Sequence, residues 1–327
     1  MKKFTLFILA LLLLAISVAF AQTAAPALAL SPARQEAAAT SSMILASVNA
    51  DKRIIAVGER GIVLLSDDGG STFRQAKSVP VAATLSSVYF TDAKNGWIAG
   101  HWGVILHTTD AGETWTVQRS DLNVDQPLFS IYFKDAQHGW AVGLWSLMLT
   151  TDNGGASWEP VNLPAPAGAN KAEGNLFQIF PDNAGGIAIA SERGSLLYSA
   201  DGNGKWTYLN TGYKGSLWAG MVLRDGTWLV GGLRGTILRS VDHGRNWQSI
   251  STDSKSSVTG LVHGAHGAIV ATGLDGMLLT SHDNGMTFTA SQRADQKSIT
   301  AAVLANQSRL VMFSETGLLS ESGNDGK

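Results

Sequence analysis

Ser66-Asp67-Asp68-Gly69-Gly70-Ser71-Thr72-Phe73 returns as Thr108-Thr109-Asp110-Ala111-Gly112-Glu113-Thr114-Trp115, as Ser240-Val241-Asp242-His243-Gly244-Arg245-Asn246-Trp247 and as Ser281-His282-Asp283-Asn284-Gly285-Met286-Thr287-Phe288. The shared pattern is S/T-x-D-x-G-x-T-W/F. A fainter copy runs from Thr150 to Trp158, read with one extra residue and its carboxylate at Asp152. Another runs from Ser199 to Trp206, with Asp201 in the acidic place and Asn203 where glycine stands elsewhere. Ser320 to Gly323 is a remnant. Positions 68, 110, 152, 201, 242, 283 and 322 lie 42, 42, 49, 41, 41 and 39 residues apart. A period of this size marks a ring of repeated four-stranded units. An Asp in a tight turn accepts hydrogen bonds from amides a few residues on, Gly takes the left-handed conformation, and the aromatic packs between units. Asp68, Asp110, Asp152, Asp201, Asp242 and Asp283 are therefore assigned to the scaffold.

Upstream of each box the same strand signals recur: an apolar run, a second run ending in Gly, two variable residues, another Gly, and a third run leading into the box. Ile54 to Leu65 shows this cleanly, and Trp97 to Leu106, Trp140 to Leu149, Ile187 to Leu197, Trp228 to Leu238, Ile269 to Leu279 and Leu310 to Leu319 follow it. Short apolar runs bounded by Gly and Asp predict antiparallel strands. The expected fold is an all-β, seven-bladed β-propeller of four-stranded antiparallel blades over residues 43–327. Its last unit lacks a strand after the box, and residues 22–42, with Leu28 and Leu30 among alanines, are the candidate closing strand. Closing the ring removes the sheet edge that would otherwise aggregate.

Residues 1–21 open with Met1-Lys2-Lys3, run apolar from Phe4 to Phe20, and reach Ala19-Phe20-Ala21. That is the layout of a cleaved secretory signal peptide, with an uncleaved anchor as the alternative. The chain is expected in the periplasm or outside the cell, without direct insertion into the membrane once the signal is removed. Across 327 residues, 24 Lys+Arg against 26 Asp+Glu give a formal charge of −2, which offers no attraction for nucleic acid. The absence of Cys excludes disulfides, thiolate metal sites and thiol catalysis.

The S/T-x-D-x-G-x-T-W boxes resemble the Asp-box (BNR) repeats of sialidase-like propellers. Asn95-Gly96-Trp97-Ile98-Ala99-Gly100 and His138-Gly139-Trp140-Ala141-Val142-Gly143, each followed by a box, look closer still to the photosystem II stability/assembly factor family, over about residues 43 to 322. That resemblance implies a seven-bladed propeller in the thylakoid lumen or periplasm, acting as a non-enzymatic assembly factor. Its motifs are specific to the repeat rather than to photosystem II. The chain departs from the cyanobacterial pattern in having no cysteine for lipid attachment.

Catalysis finds little support in the residues. The Arg-Ile-Pro motif of sialidases is absent, and of the five tyrosines Tyr89, Tyr132 and Tyr198 sit at strand positions that fit packing. Most aspartates belong to boxes or equivalent turns, whereas glycoside hydrolysis needs two facing carboxylates. Glu59, Glu192 and Glu315 occupy corresponding turns and could face one surface. His263 and His266 have no third ligand nearby in sequence, so neither a metal nor a cofactor is expected.

Subtracting what the repeat requires leaves costly residues. Trp102 and Trp145 lie between second and third strands, Trp218 begins a first strand, and Arg60, Arg193 and Arg234 sit in turns equivalent to those of Trp102 and Trp145. In a propeller all of these open on one face. Arg and Trp are enriched at interaction hot spots. Arg60, Trp102, Trp145, Arg193, Trp218 and Arg234 are thus the expected partner-binding residues of a monomer that engages a membrane protein or a subunit of a membrane complex. The alternative is a carbohydrate-binding or sialidase-like propeller whose tryptophans stack on sugars. The insertion around Leu163-Pro164-Ala165-Pro166-Ala167-Gly168 falls on the same face.

Overall fold

The structure, a computed structural model, describes residues 30–320 apart from 203, 307 and 308. Residues 1–21, read as a signal peptide, lie outside the described residues. Seven antiparallel sheets follow one another along the chain, each with its strands in sequence order. In blade 1 these strands are Ile44–Ala50, Arg53–Gly58, Val63–Ser66 and Arg74–Gln75. The innermost strands of blades 2 to 7 are Leu85–Phe90, Leu128–Phe133, Leu176–Pro181, Leu217–Val222, Val258–His263 and Ala301–Ala305. Each packs against the next, and the last against Ile44–Ala50, so the sheets form the seven-bladed β-propeller that the repeat predicts.

The second strands of blades 2 to 5 are buried along their whole length, and that of blade 1 from its second residue on, because both of their faces meet neighbouring blades, hence their nearly continuous apolar sequences. Trp97, Trp140 and Trp228 are their largest side chains and are fully buried. Trp97 donates its indole N–H to Gly154 O at 3.3 Å and Trp140 to Gly202 O at 2.9 Å, in each case a carbonyl in the next blade's box. Arg53 reaches Ala111 O in the same sense at 3.1 Å, and Arg239 reaches Asn284 O at 3.0 Å. The boxes are therefore staples within a blade and receptors between blades.

Inside a box the hydroxyl two residues before the acidic position donates to it: Ser66 to Asp68 at 2.8 Å, Thr108 to Asp110 at 2.7 Å, Ser240 to Asp242 and Ser281 to Asp283 both at 2.8 Å. The same hydroxyl accepts the buried glycine amide, Gly70 N at 2.9 Å in the first box. Gly70 has φ +84°, and a Cβ there would sit 2.4 Å from Val311 Cγ2, so no other residue fits. The third box corrects the sequence reading. Thr151 donates to Asn153 at 2.9 Å, and Ser157 N donates to Asn153 Oδ1 at 3.0 Å. Asn153, not Asp152, holds that turn, with no extra residue, because the hydroxyl two positions earlier fixes the register.

Blade 7 has three strands among the described residues, Ala301–Ala305, Arg309–Ser314 and Gly317–Leu318. No strand forms in residues 30–42, and the rest of the candidate closing segment, residues 22–29, lies outside the described residues. Residues 30–42 lie along the junction of blades 1 and 2, where Ala33 N donates to Val79 O at 3.0 Å and Gln35 Nε2 to Ala76 O at 2.8 Å. Leu30 and Ala33 pack into the core there, and Pro32 has no amide to give a ladder. The short turn Ala39–Ser41 reaches the Gly317–Leu318 strand. Among the described residues blades 7 and 1 meet directly: Thr300 Oγ1 donates to Ile44 O, Asn49 Nδ2 to Leu304 O at 2.9 Å, and Phe73 meets Phe313 edge-on with centroids 5.5 Å apart.

Candidate functional site

The turns between second and third strands share one backbone. Arg60, Trp102, Trp145, Arg193, Arg234 and Asp275 hold the middle position of six successive turns, all with φ between 53° and 58°. A left-handed conformation costs an L-residue roughly 1–2 kcal/mol, and such strain concentrates at functional sites. The amides are held from the next blade: Trp102 N by Asp125 Oδ1 at 3.2 Å, Trp145 N by Asn175 Oδ1 at 3.0 Å, Arg234 N by Ser257 Oγ at 3.2 Å and Asp275 N by Ser298 Oγ at 3.2 Å. Close approach also fixes the residue before the turn in blade 5, since a Cβ on Gly232 would lie 2.1 Å from Ser216 O. Each turn thus presents one side chain from a backbone that the rest of the sequence has already set.

Beside each turn lies a second variable position. In blades 1 to 6 the register of the innermost strand slips by one residue directly after its first buried residue, leaving Leu45, Ser86, Phe129, Phe177, Trp218 and Thr259 out of the ladder. Such bulges re-aim a side chain. Leu45, Ser86, Phe129, Phe177, Trp218 and Thr259 all line the central channel, a cavity of ≈ 890 Å³ walled by the seven innermost strands. Ser86 donates across to Leu128 O, Thr259 to Ile299 O at 2.6 Å, and Thr300 in blade 7 to Ile44 O. Blades 3, 4 and 5 give up this clasp for Phe129, Phe177 and Trp218, half-buried at the channel mouth, and the Phe129 and Phe177 rings stack at 6.1 Å.

The six residues singled out in the sequence are divided by the structure. Trp145 is 60% exposed, and Arg193 and Arg234 are exposed with no ion-pair or hydrogen-bond partner for their guanidinium groups among the described residues. Trp218 lines the channel rather than the outer rim. These four lie in adjacent blades 3 to 5. Arg60, in blade 1, is paired with Glu59 at 3.0 Å and with Ser42 Oγ at 3.1 Å, and Trp102 of blade 2 is half-buried against the core. Glu192 does not pair with Arg193; it accepts from Asn175 Nδ2 at 2.8 Å. The end of the long loop into blade 4 thereby ties the Trp145 turn to blade 4, with Gly174 O taking both Ser146 N and Ser146 Oγ at 2.9 Å. Phe129 and Phe177 were not singled out from sequence. Their signal is the residue that follows each buried Leu128 and Leu176, read against Ser86 and Thr259 in the same place.

The opposite face carries the box aspartates. Hydrogen bonds from the Thr72 side chain and amide hold Asp68 down at about 2, and the same bonds from Thr287 do so for Asp283. The Asn246 amide and side chain hold Asp242 at about 2. Burial pushes Tyr132 up to about 12, and burial with the Asp182 hydrogen bond does the same for Tyr198. Burial, and then Arg224, lower His263. Among the described residues no three His, Asp or Glu side chains are gathered so as to hold a metal ion.

The sequence profile of the photosynthesis system II assembly factor YCF48 matches residues 36–123 and 116–267. The chain belongs to this family. Its fold superposes on YCF48 bound to a D1 peptide with a TM-score of 0.70, at 20% identity over 85% of this chain and 92% of that one. YCF48 from Cyanidioschyzon merolae gives 0.68, at 15% identity over 88% and 97%. The extracellular domain of BT4673 from B. thetaiotaomicron gives 0.65 at 13% identity, over 85% of this chain and 38% of that one. No protein of curated function matches the sequence. The YCF48 family thus shares with this chain the propeller on which the two variable positions of each blade are displayed.

Proposed function

We propose that this YCF48-family propeller is a non-enzymatic, exported protein-binding scaffold that helps assemble or stabilise a membrane protein complex, using the face formed by the turns of blades 3 to 5. The observation that carries this reading is the exposure of Trp145, Arg193 and Arg234 on the equivalent turns of three successive blades, the two guanidinium groups having no partner among the described residues. Large exposed aromatics beside unneutralised arginines mark interfaces. The related YCF48 bound to a D1 peptide supports a polypeptide as the occupant. The channel wall supports a non-catalytic role, since its lining includes no Asp, Glu, Lys or Arg to serve as the paired carboxylates of a glycosidase. Residues 1–21 support export to the periplasm or a comparable compartment.

The test is affinity capture from detergent-solubilised membranes, comparing the parent with a variant carrying Trp145→Ala, Arg193→Ala and Arg234→Ala after circular dichroism has shown both folded. Capture of a membrane protein by the parent and its loss in the variant is the expected outcome. Equal capture by both would place the contact elsewhere, and no capture by either would remove the scaffold reading. Fractionation of cells expressing the full chain tests export, which fails if the protein stays with the cytoplasm.

A further inference from the structure

The wall of the central channel changes character around the ring at one repeated position. That position is the first residue to rejoin the ladder after the slip in each innermost strand: Ala46, Ser87, Ser130, Gln178, Ala219 and Gly260 in blades 1 to 6. In blades 2, 3 and 4 the residue is polar and accepts an amide from the next blade's innermost strand. Ile131 N donates to Ser87 Oγ and Ile179 N to Ser130 Oγ, both at 3.1 Å, and Gly220 N donates to Gln178 Oε1 at 2.9 Å. Accepting uses only the oxygen, so the two hydroxyl protons and the Gln178 NH2 group still have hydrogen bonds to give. None of them has an acceptor among the described residues. Two residues further along the same strands, and so on the same side, stand Tyr89 and Tyr132, whose rings meet edge to face at 5.1 Å. Their hydroxyls also lack a partner among the described residues. Burial raises both phenols, Tyr132 to about 12, so both stay protonated and able to donate.

We infer that the central channel binds a neutral sugar, whose hydroxyl oxygens accept from the wall of blades 2 to 4 while its C–H face lies against the aromatic side chains at the mouth. The site is separate from the turn-face contact proposed above and does not depend on it. The cavity, ≈ 890 Å³, falls within the roughly 300–1,000 Å³ of small-molecule sites. Its lining includes no Asp, Glu, Lys or Arg, so a charged ligand would leave water without meeting a counter-charge. A wholly apolar ligand would strip water from the donors of Ser87, Ser130 and Gln178 and return nothing. A molecule with acceptor oxygens along one edge and C–H groups elsewhere satisfies both conditions. Half-buried Phe129, Phe177 and Trp218 supply the apolar contact, the first two rings lying within 20° of parallel. Ala46, Gly220 and Gly260 in the lining leave room across from the polar wall.

Isothermal titration calorimetry on the full chain with methyl β-D-glucoside, methyl β-D-galactoside and N-acetylglucosamine tests this, with glucuronate and glucosamine as charged counterparts. The expected result is saturable binding of at least one neutral sugar with a Kd of about 1 mM or tighter, and binding of the charged pair about tenfold weaker. Tyr89→Phe with Tyr132→Phe removes two donors without breaking a protein hydrogen bond, so it should weaken binding about threefold at an unchanged thermal midpoint. Phe177→Ser, which installs the residue type that blade 2 carries at Ser86, should weaken it by a similar factor and serves as the second variant if the tyrosine pair does not fold. Absence of binding by all three neutral sugars, equal affinity for the charged pair, or undiminished binding by the folded variants would overturn the inference. Membrane-protein capture is read independently, so failure of the channel site leaves the scaffold reading standing.

Discussion

The two faces of this ring are made by the same repeat and have opposite characters. On the box face the repeat keeps side chains: a hydroxyl donates to an acidic or amide acceptor two residues on in all six boxes, at 2.7 to 3.0 Å. On the turn face it keeps backbone: six middle residues share a φ of 53° to 58°, yet they are Arg, Trp, Trp, Arg, Arg and Asp. Where side chains repeat, their chemistry is spent on one another. Where only conformation repeats, the side chains are free to differ, and those of Trp145, Arg193 and Arg234 are left exposed.

Acid is the strongest way to set the faces apart. Asp68, Asp242 and Asp283 titrate at about 2 in the fold, below the ~4 of an unfolded chain. Their contribution is present above the unfolded value near 4 and is lost as pH falls towards 2, so urea unfolding followed by circular dichroism should show stability dropping across that window. A single box is the next largest test. Thr108→Val leaves the buried Gly112 amide without its 3.1 Å acceptor and should lower stability by about 1–3 kcal/mol in urea unfolding. The turn face should respond in the other direction. Trp145 and Ser146 are consecutive left-handed non-glycine residues at φ 53° and 58°, in a position where other blades have Gly, and Ser146→Gly should raise stability by about 0.5–1 kcal/mol. The smallest effect belongs to the partner surface itself. Trp145→Ala, Arg193→Ala and Arg234→Ala should each leave stability within about 0.5 kcal/mol of the parent while weakening capture, and a large destabilisation would mean that these side chains belong to the scaffold.

The box face was almost wholly legible because its residues specify their own local hydrogen bonds, so a pattern eight residues long carries the structure. It misled only at Asp152, where two polar candidates stand side by side and the Thr151 hydroxyl decides for Asn153. The fate of residues 30–42 was not legible, since an alanine-rich stretch fits a strand as readily as the groove beside Val79 that it occupies. The turn-face residues could be found by subtracting the repeat. Phe129 and Phe177 escaped that subtraction because an aromatic in a strand ordinarily reads as packing, and only the slip in register turns it to the channel. Whether an arginine is free is likewise a property of the folded ring: Arg60 and Arg193 both follow a glutamate, yet only Arg60 pairs with its neighbour.

The left-handed turn position has a consequence for how such rings change over generations. In four of the six turns, those of Trp102, Trp145, Arg234 and Asp275, its amide is held from outside by a polar side chain of the chain entering the following blade, and two residues earlier stands a close-packed glycine. A codon there can be exchanged without renegotiating the fold, so each blade is a socket with an interchangeable bit, and duplicating blades multiplies the sockets. Selection can then retune what the ring grips by point changes at a handful of places, while the boxes on the far side hold the tool steady.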